Sequence, residues 1–263
     1  MKIKFYLREM VFRIHLFLDT FRRSLIFIIR KKNTLLILRK EFRRLFNIYY
    51  SFFKLRKIQN YNSLKNLIDF TFSFNKGYIK PLQDKSEILG LLIRCEKIHP
   101  QYILEIGTAR GGTLFFFSRI ADKNAGIISI DLPGGSSGGG YSKLKIPLYK
   151  SFARKNQEIH LFRANSHDIN TLKKVRKILK RNHLDILFID GDHSYEGVKK
   201  DFEMYSPLVK NEGFIIFHDI NCVTMGVYKF WKEIKKKYLH EEIIQDWNFK
   251  ELGIGVLTNM TKG

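Results

Sequence analysis

Cysteine is nearly absent: Cys95 and Cys222 are the only two in 263 residues. That is too few for a disulfide framework or a paired-cysteine metal motif, and it suits a reducing cytoplasm. Glycine and proline are missing before Gly77, and all five prolines lie at or after Pro81. Nothing therefore interrupts a helical reading of the first quarter of the chain. No charge-free apolar stretch approaches the span of about 18 residues that crosses a bilayer. Nor does a short apolar core with a small-residue cleavage site mark a secretory signal. Acids are scarce, 25 against 47 Lys and Arg, for a net charge of +22. Residues 1–57 carry 16 basic residues and three acids (Glu9, Asp19, Glu41), which is +13 of that total.

What is present divides into three segments, a basic arm (1–60), a linker or cap (61–84) and an organised domain (85–263). In the arm, Leu7, Val11, Ile14, Leu18, Phe21, Leu25 and Ile28 recur at steps of four and three, which places them on one helix face. Leu38, Phe42, Leu45, Phe46 and Tyr49 repeat the pattern. Three uses are open. The arm can lie on an anionic membrane, peripheral on the inner face, through residues 1–57. It can pack on a partner helix of the same or another chain, the latter giving a homo-oligomer, or it can simply cap the domain. Nucleic acid fits poorly, since the apolar face would stay exposed.

From residue 85 the texture alternates, and with 44% hydrophobic residues the chain can build a sizeable core. Helices are expected over Glu87–Lys97, Thr113–Ala121, Leu148–Lys155, Ile169–Lys180, Tyr195–Val209 and Val227–Tyr238. Strands are expected over Tyr102–Ile106, Gly126–Ile130, Ile159–Arg163, Leu184–Ile189, Gly213–Phe217, Glu242–Gln245 and Gly253–Leu257. This is an α/β pattern, a parallel sheet covered on both faces, whose ligands sit outside the carboxyl ends of the strands.

Polar residues cluster at those ends. The first strand runs into ILEIGTARGGT (Ile103–Thr113), where Gly107, Gly111 and Gly112 let backbone approach a ligand and the next helix aims its free N–H groups at the same crevice. Asp131 follows the second strand, 24 residues beyond Gly107, about where an acid meets ribose hydroxyls; a loop cap is the plainer alternative. Asn165-Ser166-His167-Asp168 follows the third, with Ser166 or Asp168 equally able to cap a helix. Asp190-Gly191-Asp192-His193 follows the fourth and His218-Asp219 the fifth. Burying Asp190, His218 and Asp219 together is costly without a counter-charge, and a divalent cation, magnesium or manganese, supplies one.

With LEIGTARGGT, SIDLPGG, ANSHD, LFIDGDHSYEGVKKDF and GFIIFHD in that order, residues 85–258 resemble the class I S-adenosylmethionine-dependent methyltransferases. The closer likeness is to the cation-dependent O-methyltransferases of sugars and glycosylated natural products (macrocin, mycinose and novobiocin type, with cephalosporin-hydroxylase-like relatives). The resemblance implies a Rossmann-like seven-stranded sheet with helices on both faces. It implies that Glu105, Gly107, Thr108 and Gly112 line the methionine part of the cofactor. Asp131 would hold the ribose, and Ser166 and His167 would lie beside the adenine. Asp190 would touch metal and cofactor, with His218 and Asp219 completing the metal ligands. The base would be Asp192 or His193, and the acceptor a small-molecule or lipid-linked saccharide. One departure is His218, where the family usually holds a carboxylate; it shifts preference toward manganese, iron or zinc, or makes His218 itself an acid/base without metal. The glycine run Gly134–Gly140 reads as a flap over the cofactor or a plain loop. Competing readings are an NAD(P)-dependent oxidoreductase, whose G-x-G-x-x-G spacing is missing here, a metal-dependent hydrolase, and a non-catalytic membrane-associated binding module.

Overall fold

The computed structural model describes residues 34–260 apart from 56, 59 and 135–139. The first amphipathic segment (7–28) and the centre of the glycine run fall outside the described residues. Contacts divide the chain after Asn47. In the first unit the described stretch is the beginning of helix α1 (Thr34–Leu55), which leaves Leu36, Phe42 and Phe46 exposed among Arg39, Lys40, Arg43 and Arg44. No helix among the described residues is long and apolar enough to cross a membrane.

The second unit holds a seven-stranded sheet. Its strands are β1 (Tyr102–Ile106), β2 (Gly126–Asp131), β3 (Glu158–Arg163), β4 (Leu184–Ile189), β5 (Val209–His218), β6 (Leu239–Ile243) and β7 (Ile254–Thr258). They lie in the order β3-β2-β1-β4-β5-β7-β6. The first five are mutually parallel, and β7 runs antiparallel between β5 and β6. The remaining helices are α2 (Leu64–Ser73), α3 (Lys85–Lys97), α4 (Gly112–Ile120), α5 (Ile146–Lys150), α6 (Ile169–Leu179), α7 (Tyr195–Tyr205) and α8 (Gly226–Ile234).

Strand alternation sorts the core into two layers. Ile103, Ile127, Ile186, Phe188 and Ile216 face one way, toward Leu91, Leu92, Leu114, Phe115 and Phe117 of α3 and α4. Leu104, Ile106, Ile128, Leu187, Ile189 and Phe217 face the other, toward Val175, Phe202, Phe230 and Trp231 of α6, α7 and α8. Every residue of α4 is buried, which explains why it carries no amphipathic stripe.

Several boundaries differ from those expected. The helix expected over Leu148–Lys155 is the short α5, and the chain turns at Lys155 with φ +47°. The helix expected to reach Val209 stops at Tyr205 because Pro207 lacks the N–H it would need, and a 3-10 turn (Ser206–Leu208) leads into β5. α8 likewise ends at Ile234 ahead of a 3-10 turn of three lysines. Strand β6 lies earlier than Glu242–Gln245; it is an edge strand with mostly exposed side chains, so hydrophobic pattern marked only its end.

Candidate active site

The tip of β1 is stitched by backbone to β4 on one side and to β2 on the other. The Asp190 amide donates to the Ile106 carbonyl (2.8 Å) and the Gly107 amide to the Ile130 carbonyl (2.8 Å). This junction explains Gly107: its φ is +97°, and a Cβ there would stand 1.9 Å from the Asp190 carbonyl oxygen. Gly111 starts α4 in the left-handed region against the Tyr149 ring, and a Cβ on Gly112 would meet the Ile79 carbonyl at 2.5 Å. The glycines were expected to admit a ligand. The space their side chains would need is filled by this chain's own backbone and rings.

Beneath the turn lies a buried polar chain. The Glu105 carboxyl accepts from Thr113 Oγ1 and from Ser129 Oγ (2.8 Å), and Ser129 Oγ is 2.5 Å from Thr108 Oγ1. Burial pushes the Glu105 carboxyl up to about 8, against the two hydroxyls that stabilise its charge. Asp131 stands at the tip of β2, where its Oδ2 accepts the amides of Ala109 (3.2 Å) and Tyr141 (3.3 Å). Burial raises its carboxyl as well, although those amides oppose it.

The densest group gathers where β4 and β5 end. His218 Nδ1 lies 3.1 Å from Asp190 Oδ1 and 3.2 Å from Asp219 Oδ1. His193 Nε2 lies 3.6 Å from both Asp190 Oδ1 and Asp219 Oδ2. Burial alone would neutralise His218, but the two carboxylates outweigh it and hold the ring protonated well above the ordinary histidine value. In return the imidazoles keep Asp190 ionised, against its burial. The hydrogen bond to Asp190 raises His193, with desolvation opposing it. Asp190, His193 and Asp219 present ligand atoms that all lie within 4.8 Å of one another. His218, the expected third ligand, bridges the two carboxylates through Nδ1 while its Nε2 is buried without a partner.

Asp192 is drawn away from this group. Its exposed carboxylate accepts the Ser194 amide (2.9 Å) and folds over Gly197, as a turn cap does. Ser166 and His167 pin the β3–α6 loop to α7: the Ser166 carbonyl accepts from Tyr205 (2.7 Å), and His167 Nε2 is 3.3 Å from buried Asp201. Asp168 caps α6 through the Asn170 amide.

Sequence patterning missed Gln83, Tyr141 and Asp201. Gln83 sits in the linker, with no periodicity to mark it, and its Nε2 donates to Asp190 Oδ2 at 2.6 Å. Asp201 lay within LFIDGDHSYEGVKKDF, and Ser129, a lone hydroxyl in an apolar strand, was a usable signal. Among the described residues, the buried side-chain polar atoms without a partner belong to Gln83, Tyr141, Asp201, His218 and Arg119. All but Arg119 touch the group just described, and buried polar atoms are seldom left unpaired.

Residues 104–220 match the family described as a methyltransferase domain. Over 142 residues the chain is 25% identical to an uncharacterised protein of Sinorhizobium fredii, and over 38 residues 53% identical to an uncharacterised protein of Acanthamoeba polyphaga mimivirus. These matches cover 52% and 14% of this chain but span only 15% and 17% of those proteins' lengths. The fold is similar to that of an O-methyltransferase from Bacillus cereus solved with S-adenosylhomocysteine (SAH; TM-score 0.52, 13% identity, 73% of this chain and 90% of that one). It is also similar to the O-methyltransferase TomG of Streptomyces achromogenes, which is involved in tomaymycin synthesis and was solved with S-adenosylmethionine (TM-score 0.50, 14% identity, 81% and 95%). Residues 104–220 thus match a methyltransferase-domain family, and the α/β fold around them is similar to that of solved O-methyltransferases.

Proposed function

We propose that the protein is an S-adenosylmethionine-dependent O-methyltransferase whose cofactor lies along the tips of β1, β2 and β4. The observation that carries this is the convergence of Asp190, His193 and Asp219 beside the Gly107 turn. In this arrangement Asp131 receives the ribose hydroxyls, and the β3–α6 loop with Ser166 and His167 borders the adenine. Gly107, Thr108 and Gly112 border the methionine part, over the Glu105 network.

Transfer is an in-line displacement. The acceptor oxygen bonds to the sulfonium methyl as the carbon–sulfur bond breaks, leaving SAH. The hydroxyl proton must leave, and in this reading His193 takes it, with Asp190 and Asp219 at 3.6 Å from Nε2 stabilising the resulting imidazolium. His193 suits the base role better than Asp192, whose carboxylate is engaged in the turn. Holding acceptor and methyl in line contributes much of the acceleration.

A second reading is metal assistance, favoured by the Asp190–His193–Asp219 donor set. Two carboxylates and one imidazole fit a divalent ion, with manganese, iron or zinc better suited than magnesium. A bound ion supplies a lowered acceptor-hydroxyl pKa. His193 is then a ligand and not the base, and the buried His218 imidazolium neutralises the carboxylates from behind.

The acceptor we infer is a hydroxyl-bearing small-molecule or lipid-linked saccharide. The resemblance of the motifs supports the saccharide, and the +13 charge of residues 1–57 supports peripheral contact of that segment with an anionic inner membrane face, which is part of the same proposal. Calorimetry with SAH against NAD tests the cofactor; binding of NAD alone overturns the proposal. Labelled-methyl transfer to glycan precursors, phenols and catechols, with and without a chelator, tests the rest. Labelling of catechols alone removes the saccharide, and full activity in chelator removes the ion.

A further inference from the structure

Gln83 lies outside the methyltransferase-domain match and outside every motif of the sequence, yet its side chain hydrogen-bonds to the acid cluster. It is 5% exposed. A carboxylate only accepts, so the Gln83 amide must present its Nε2 to Asp190 Oδ2, and the carbonyl end faces away. That oxygen, Oε1, is buried and has no donor.

The two sides of Asp190 are divided. Oδ1 faces His193 and His218, while Oδ2 takes Gln83. Gln83 therefore stands on the side away from the imidazoles. Two to four residues before it, Ile79 and Pro81 cover Gly112 at the start of α4. The unfilled acceptor thus belongs to a side chain that is bonded to Asp190 and follows directly on the segment covering the glycine turn, and Asp190 Oδ2 keeps a second lone pair as a further acceptor. Two acceptors, one of them anionic, call for a cationic donor with several N–H groups, which is an ammonium.

We propose that Gln83 Oε1, with Asp190 Oδ2, receives the α-ammonium of the cofactor's methionyl part, so that the linker and not only the domain selects the amino-acid end of the cofactor. This rests on the cofactor assignment above.

The test is calorimetry of the full chain and its Gln83→Leu variant with SAH, with SAH lacking its α-amino group, and with 5′-methylthioadenosine, which lacks the amino-acid part. Loss of a charge-assisted hydrogen bond is expected to weaken SAH by about tenfold to a hundredfold, with methylthioadenosine unchanged. The preference of the wild-type chain for SAH over its deaminated analogue should shrink by the same factor. Unchanged SAH affinity in the variant, or equal weakening of SAH and methylthioadenosine, overturns the inference while leaving the cofactor assignment standing. A wild-type chain that binds neither ligand overturns both. If the leucine variant does not fold, Gln83→Met fills the same volume without a carbonyl and is read the same way.

Discussion

His218 Nδ1 lies 3.1 Å from Asp190 Oδ1, with the ring buried and the carboxylate largely so. With Asp219 Oδ1 at 3.2 Å, one imidazolium serves two acids. Removing it strands both carboxylates, and breaking a buried pair in this way costs about 3–5 kcal/mol. His218→Ala should lose that much in urea unfolding at pH 7. The deficit should narrow at acid pH, as the stranded Asp190 carboxylate takes up a proton.

His193 allows a kinetic prediction. As the base it must be deprotonated, and its hydrogen bond to Asp190 raises its pKa above the ordinary 6.5. The rising limb of kcat/KM against pH should therefore be centred above 6.5. His193→Ala should lower kcat by about 10²–10⁴ with SAH affinity unchanged; a parallel loss of SAH binding would assign it to the cofactor site instead.

Glycine positions separate two costs. Gly107→Ala must clear the Asp190 carbonyl from a left-handed backbone, and the clash adds to the about 1–2 kcal/mol of the backbone alone. Gly134 has φ +76° but nothing within 4 Å of its Cβ position among the described residues. Gly134→Ala should cost only that backbone term of about 1–2 kcal/mol, whereas Gly107→Ala should fail to give a cooperative thermal transition.

Glu105 gives stability a pH slope. Its carboxyl titrates near 4.5 when exposed and at about 8 when folded. Between those values the unfolded chain has released a proton that the folded chain retains, so stability falls as pH rises through that window and levels off above it. Glu105→Gln, which keeps the size and the partners at Thr113 and Ser129, should remove this slope. Melting temperatures at pH 5 and pH 9 check it: the variant should gain on the wild type only at pH 9.

Much of the fold was legible because its central strands are fully buried. Tyr102–Ile106 and Leu184–Ile189 run between the same residues read from their apolar text, as burial on both faces demands. The edge strand β6 was placed late because its outward residues carry no hydrophobic signal. At the site, the acids and imidazoles at the strand tips were legible, since Asp190 and Asp219 do converge with His193. Their division of labour was not. Whether His218 faces a ligand or bridges two carboxylates depends on a ring rotation, and whether Asp192 faces the cluster depends on a local turn. Gln83 reaches Asp190 across 107 positions of sequence, a distance over which no spacing rule operates.

The late position of β7 has a consequence for how the molecule is made. Until Ile254–Thr258 has emerged, β5 offers a bare edge and β6, already synthesised, has no strand to join. Ile254 pairs with His218, so the strand end that carries the acid cluster stays unpaired on that side until β7 has emerged. Ribosome-bound intermediates short of that point carry an adhesive strand, and chaperone cover would be needed most there.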